Sequence, residues 1–150
     1  MAEPTLKSRL TEAMKAAMRA QDKARLGTIR LILADIKRVE VDERIEVDDA
    51  RALVVLDKMA KQRRDSISQF RGAGRDDLAD AETQELAVIA EFLPQPLTAD
   101  EITALIEQAV ADSGAAGAAD MGKVMALLKP AIQGRADMAA VSKQVKARLG

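Results

Sequence analysis

The sequence predicts an all-α protein: an N-terminal helical domain of antiparallel helical hairpins, followed by a small three-helix bundle. Three observations carry this. Apolar residues recur at spacings of three and four almost throughout, the mark of helices with one buried face, and strand-like alternation is confined to one short stretch. Helix-start and helix-stop residues punctuate the pattern at regular intervals. A break at Leu93-Pro94-Gln95-Pro96-Leu97 divides it in two, because proline cannot donate a backbone hydrogen bond and disfavours helix in the residue before it.

Taken in order, Leu6, Leu10, Ala13 and Ala17 line one face of a first helix. Asp22 is a suitable N-cap for a second, whose stripe is Leu26, Ile29, Leu33 and Ile36. The short gap between them implies antiparallel neighbours. Residues 40–48 alternate briefly and are expected to form an extended connector. Asp48 or Asp49 then caps a long helix bearing Leu56, Met59, Ile67 and Phe70, which Gly72-Ala73-Gly74 stops. Asp76 or Asp77 opens the next, with Leu78, Leu86, Ile89 and Phe92 as its buried side. Residues 1–92 are thus expected to form one domain, 93–97 a linker and 98–150 a second domain. There Thr98 and Glu101 form a capping box ahead of Ile102, Leu105, Ile106 and Ala109, and Ser113-Gly114 ends that helix. Residues 115–119 are an Ala/Gly-rich linker. Met121, Val124, Met125 and Leu128 make the next stripe, kinked or stopped by Pro130, and Met138, Val141, Val145 and Leu149 the last.

Composition narrows the chemistry. The 150 residues are 48% apolar, enough for a core, yet Phe70 and Phe92 are the only aromatics, and Trp, Tyr, Cys and His are absent. Disulfides, thiolate nucleophiles and zinc–thiolate sites are excluded. So are histidine bases and ligands, and stacking platforms of the Trp/Tyr kind. No Walker-type, dinucleotide-binding, HExxH or GxSxG pattern is present. No catalytic residue, metal site or cofactor is therefore assigned. Met1-Ala2-Glu3-Pro4 shows no signal-peptide pattern, and no apolar run reaches membrane-spanning length, so a cytoplasmic protein without a membrane partner is expected.

The net charge is −1, but its distribution is uneven. Residues 93–114 hold Asp100, Glu101, Glu107 and Asp112 and no cation, whereas residues 115–150 hold Lys123, Lys129, Arg135, Lys143, Lys146 and Arg148 against Asp120 and Asp137. Lys123 projects away from its apolar stripe, and Arg135 sits in a glycine-marked turn, placements from which phosphates can be contacted without reading bases. Ordinary helix punctuation by Gly134 and Asp137 explains the same residues equally well.

The densest charged group is Lys61-Gln62-Arg63-Arg64-Asp65. Lys61 lies opposite the apolar stripe, four residues from Asp57 and Asp65, as on a solvated face. Arg63 falls inside the apolar arc and must snorkel outward or meet a carboxylate. Counting outward from the Gly72–Arg75 turn brings Arg63 level with Gln84 and Glu85. An Arg63–Glu85 ion pair in the hairpin seam is expected, with Glu82 as the substitute partner.

Several motifs, in this order, resemble the stand-alone YqeY-type members of the GatB/YqeY family over essentially the whole chain. They are Thr28-Ile29-Arg30-Leu31, Val41-Asp42-Glu43-Arg44, Lys61-Gln62-Arg63-Arg64-Asp65-Ser66, Ala73-Gly74-Arg75 with Asp77-Leu78, and Phe92-Leu93-Pro94. Met121-Gly122-Lys123-Val124-Met125 and Gly134-Arg135-Ala136-Asp137 complete the set and resemble the tail of the B subunit of the glutamine-dependent tRNA amidotransferase. The resemblance implies an N-terminal helical domain joined to a three-helix tail that helps hold tRNA, a module also appended to some glutaminyl-tRNA synthetases. It further implies a family label of carbon–nitrogen ligase with glutamine as amide donor. The chain shows no resemblance to the ATP-using catalytic cradle or to the glutaminase subunit, so it is expected not to act as an enzyme alone. Two functions compete, with a non-catalytic contribution to carbon–nitrogen ligase activity using glutamine as amide donor as a third. A tRNA-binding accessory would grip backbone through Lys123, Lys129, Arg135, Lys143 and Lys146. A protein-interaction module would dock an aminoacyl-tRNA synthetase or amidotransferase subunits through the acidic helix 99–112 or the N-terminal domain.

Overall fold

The structure, a computed structural model, describes residues 4–150; Met1–Glu3, where no signal pattern was read, lie outside the described residues. It is all-α, with no strand among the described residues. The helices are α1 (Leu6–Arg19), α2 (Lys23–Glu43), α3 (Asp49–Gly72), α4 (Asp76–Ala90), α5 (Ala99–Ser113), α6 (Met121–Ile132) and α7 (Met138–Leu149), with one turn of 3₁₀ helix at Ala118–Asp120. They fall into two compact units that divide between Leu93 and Pro94.

In the first unit α1 and α4 each pack on both α2 and α3. Leu10, Ile29, Ile32, Ile36, Leu56 and Ile89 are almost wholly enclosed. Each buried Leu or Ile contributes about 1.5–3 kcal/mol over an exposed one, so this aliphatic cluster dominates the unit's stability. Polar side chains then fix the helix ends. Thr5, Asp22 and Asp48 cap α1, α2 and α3 by accepting the N–H of Ser8, Arg25 and Arg51. Asp49 Oδ1 accepts the Leu6 N–H at 2.9 Å, tying α3 to the start of α1.

Residues 40–48 correct the expected extended connector. α2 continues to Glu43 and ends at Arg44 in the left-handed conformation (φ 55°), which leaves only a short link to α3. The reason is Glu40, whose Oε2 accepts Lys7 Nζ at 2.7 Å and the Val47 N–H at 2.9 Å. These contacts hold the last turn of α2 as helix and fold the link back over it. The alternation of Val41, Ile45 and Val47 marks no strand: Val41 and Ile45 are exposed, and only Val47 is enclosed.

A second correction concerns the α3–α4 hairpin. The shared core takes in α3 only as far as Ala60 and α4 only from Leu86 onward. Beyond that point Ile67 and Phe70 are half-buried and Leu78 is exposed, while Ala79 takes the enclosed position between the helices. A helix pair alone offers less cover than a four-helix layer, and periodicity does not report where the cover ends.

In the second unit Ile106, Val110, Val124, Leu128, Ile132, Val141 and Val145 form the core of α5, α6 and α7. The Thr98–Glu101 capping box is complete, with both bonds at 3.1 Å. Gly114 closes α5 at φ 68°. Pro130 neither stops α6 nor ends its stripe: the helix runs to Ile132, which is fully enclosed. Proline removes one backbone donor there, but it stands on the exposed side of the last turns, and burial of Ile132 offsets the loss.

Candidate functional site

Two charged constellations stand out, one in each unit. In the first, Arg63 Nε donates to Glu85 Oε2 at 2.6 Å, and Glu82 Oε2 lies 3.2 Å from the same nitrogen. The guanidinium side chain is 19% exposed, so the pair is partly screened. It stands just beyond the last core residues, where α3 and α4 leave the shelter of α1 and α2. Its single Nε hydrogen goes to Glu85, and Glu82 Oε2 is enclosed without a hydrogen bond of its own. The arrangement is a clamp on helix register with its cation neutralised by two carboxylates, and it has no charge to spare for a ligand.

Other pairs join helices of the same unit: Lys7 with Glu40, Arg25 with Glu91, and Arg51 with Glu43. The Lys7 ammonium and the Val47 N–H hold the Glu40 carboxyl below the ordinary carboxylate range. Beside Arg25 and Glu85, an open groove of about 700 Å³ runs between α2 and α4, floored by Ala24, Gly27, Ala81 and Val88 and flanked by the exposed Leu31.

In the second unit the tail cations are not equivalent. Lys129, Lys143 and Lys146 are exposed, and none forms an ion pair among the described residues. Lys143 and Lys146 share the outward face of α7, opposite Val141 and Val145. Lys123 is exposed as well, with Asp120 Oδ1 at 3.5 Å. At about 100° per residue Lys123 and Lys129 point roughly a third of a turn apart on α6, so no single helix face unites them. Arg148 is withdrawn from the tail's free charge: its guanidinium grips Glu107 of α5 with bonds of 2.5 and 3.1 Å and lowers that carboxyl's pKa.

Arg135 is placed differently again. It follows Gly134, which turns the chain between α6 and α7 at φ 76°. Its Nε donates to the Gln95 carbonyl at 3.0 Å, and its own carbonyl accepts the Leu97 N–H at 2.9 Å. The Pro-containing strap before α5 is therefore laced to the α6–α7 turn. Glu101, held below its ordinary range first by the Thr98 N–H and hydroxyl, also feels the Arg135 charge. Sequence reasoning missed these contacts, because Gln95 and Arg135 are forty positions apart and a backbone carbonyl leaves no trace in residue type.

The site offers no partner set for metal-dependent chemistry: no cluster of three metal-ligating side chains occurs among the described residues. Nor is any described helix long and apolar enough to cross a membrane. What the second unit presents is three exposed lysines, Lys129, Lys143 and Lys146, that form no ion pair among the described residues, on helices whose apolar faces are already used.

Comparison with known proteins gives this arrangement a family. The model of Yqey-like proteins matches residues 7–149, spanning both units. The chain belongs to the YqeY family. Among curated relatives, it is similar to the protein named Altered inheritance of mitochondria protein 41, mitochondrial, of Pyrenophora tritici-repentis (32% identity, 95% of this chain and 80% of that protein). The Eremothecium gossypii protein of the same name is 40% identical over 56% of this chain and 46% of its own length. An uncharacterised protein of Schizosaccharomyces pombe is 30% identical over 61% of this chain and 75% of its own. The match thus spans about half the length of several of these relatives, as in Eremothecium and Lachancea thermotolerans.

The relatives of Pyrenophora and Eremothecium overturn the expected cytoplasmic placement, since they are named as mitochondrial proteins. The physical reason is simple. The residues at Met1–Pro4 and the length of the apolar runs carry no feature that tells one aqueous compartment from another.

Proposed function

We propose that this YqeY-family protein is a tRNA-binding accessory whose second unit grips the phosphate backbone. Lys123, Lys129, Lys143 and Lys146 supply point charges from α6 and α7, and Arg135 adds a contact at the turn between them. The observation that carries the reading is the exposure of Lys129, Lys143 and Lys146 with no carboxylate partner among the described residues, next to an arginine that has been used internally. Phosphate contacts of this kind position a nucleic acid without reading its sequence, which suits a chain with so few aromatic residues. Synthetase or amidotransferase subunits are the expected protein partners in this role, and the chain does not by itself carry out amide transfer.

The decisive experiment is tRNA binding as a function of salt. Five phosphate contacts predict a log–log slope of roughly −4 to −5, taking the duplex coefficient of about 0.9 per phosphate. Replacing Lys129, Lys143 and Lys146 together with Ala should flatten the slope by about three. Absence of binding at low salt, or an unchanged slope in the triple variant, would falsify the reading. Purified protein given glutamine, ATP and Glu-tRNA should produce no Gln-tRNA; turnover without amidotransferase subunits would contradict the non-catalytic role.

A second reading has one observation in its favour. The groove between α2 and α4, with Leu31 left 47% exposed beside it, has the form of a seat for an apolar partner surface. Capture of a synthetase or amidotransferase that survives both high salt and nuclease would favour docking over phosphate binding.

A further inference from the structure

The Arg135 guanidinium has five N–H donors, and the strap uses one of them, Nε, through the 3.0 Å bond to the Gln95 carbonyl. The Nη groups are the pair that end-on phosphate recognition employs, so a phosphate can be taken without surrendering the carbonyl. Besides the packing of Leu97 against the core of the second unit, the strap has few polar means of attachment. Pro94 and Pro96 contribute no N–H, and the Leu97 N–H already goes to the Arg135 carbonyl. The Gln95 bond is solvent-exposed, so in the free protein it competes with water.

We infer that Arg135 is a bridging clamp: a phosphate seated on its Nη groups fixes the guanidinium and thereby locks the Gln95–Leu97 strap onto the α6–α7 turn. Binding of an anionic polymer to the second unit then stiffens the chain where the first unit ends and the second begins. This deepens the tRNA reading and rests on it. Arg135 acts here as a positioning residue. Lysine cannot replace it, since one ammonium lacks the planar fork that serves a carbonyl and a phosphate in fixed directions.

The test is hydrogen exchange of the Leu97 amide in the full-length protein, free and saturated with unfractionated tRNA, with affinity measured separately by fluorescence anisotropy. In the natural protein tRNA should slow Leu97 exchange by about fivefold, the ratio set by one net hydrogen bond. Arg135→Lys should weaken affinity, because one ammonium replaces the planar fork, yet still reach saturation at higher tRNA concentration, and there it should lose the slowing. Arg135→Ala should speed Leu97 exchange even without RNA. Unchanged or faster Leu97 exchange in the natural protein on saturation would overturn the clamp while leaving the tRNA reading intact. Equal slowing in Arg135→Lys would assign the protection to simple coverage by RNA and overturn it too. No binding by anisotropy removes both proposals together.

Discussion

Arg63 in the α3–α4 seam and Arg135 in the α6–α7 turn show two uses of the same side chain. Arg63 is flanked by two carboxylates and is 19% exposed, so its charge is spent inside the protein. Arg135 meets a neutral carbonyl through one nitrogen, and Glu101, the acid that feels its charge, is already held in a capping box. The same contrast runs through the surroundings of the two residues. Helix pairs in the first unit are joined by cations facing acids across the seams, whereas Lys129, Lys143 and Lys146 form no ion pair among the described residues and Lys123 meets only its neighbour Asp120. A cation whose field is cancelled locally fixes structure; one whose field reaches solvent can attract a polyanion. On the proposed reading, the unpaired lysines of the second unit, rather than the densest basic run at Lys61–Asp65, are the cations to test.

Stability measurements sharpen this comparison most strongly at Arg63. Arg63→Met should destabilise the protein by about 1–2 kcal/mol in urea unfolding followed by circular dichroism, because Glu82 and Glu85 are left facing one another. The value falls below the roughly 3–5 kcal/mol of a fully buried pair, since this one is screened by partial exposure. Adding Glu85→Leu should recover part of the loss, and the double-mutant cycle should show coupling of at least about 0.5 kcal/mol. Additive effects would mean that the seam pair contributes nothing specific.

Arg135→Met should cost less, about 0.5 kcal/mol, because its bond to Gln95 is exposed and exchanges readily with water. A loss as large as that at Arg63 would contradict the distinction between the two arginines.

The smallest effect is a pH dependence set by Glu40. Its folded pKa is lowered from the ordinary 4.5, chiefly by the Lys7 ammonium and then by the Val47 N–H. The stability it contributes is accordingly present above pH 4.5 and disappears as the pH falls through the lower folded value. Glu40→Gln should flatten the unfolding midpoint across that acid window and leave its shape near neutrality unchanged. An equally steep acid limb in the variant would place the dependence on other carboxylates, such as Glu107 with Arg148.

Much of the fold was legible because helices announce themselves locally. Asp22, Asp48, Thr98 and Asp137 each cap a helix with a side-chain bond to a backbone N–H within three residues, so spacing is sufficient to find them. Register arithmetic reached Arg63 and Glu85 for the same reason, the intervening turn being short and marked by Gly72 and Gly74. It failed where the deciding contact is remote. Glu40 extends α2 by binding Lys7, thirty-three positions away, and Arg148 leaves the pool of free cations by gripping Glu107, forty-one positions away. Leu78 looked buried because periodicity gives the direction of a face but not what lies against it. The charge asymmetry of the tail was visible from composition; which of its cations remain unpaired was not.

The most direct test of the central claim is a lysine footprint. The full-length protein, free or saturated with tRNA at low salt, would be treated with a limiting amine-acylating reagent and mapped by mass spectrometry. Protection should fall on Lys129, Lys143 and Lys146, and to a lesser degree on Lys123. Lys37, Lys58 and Lys61 of the first unit, which are also exposed, should react equally in both states. Protection centred on the first unit, or none at all under conditions where tRNA is bound, would contradict the account.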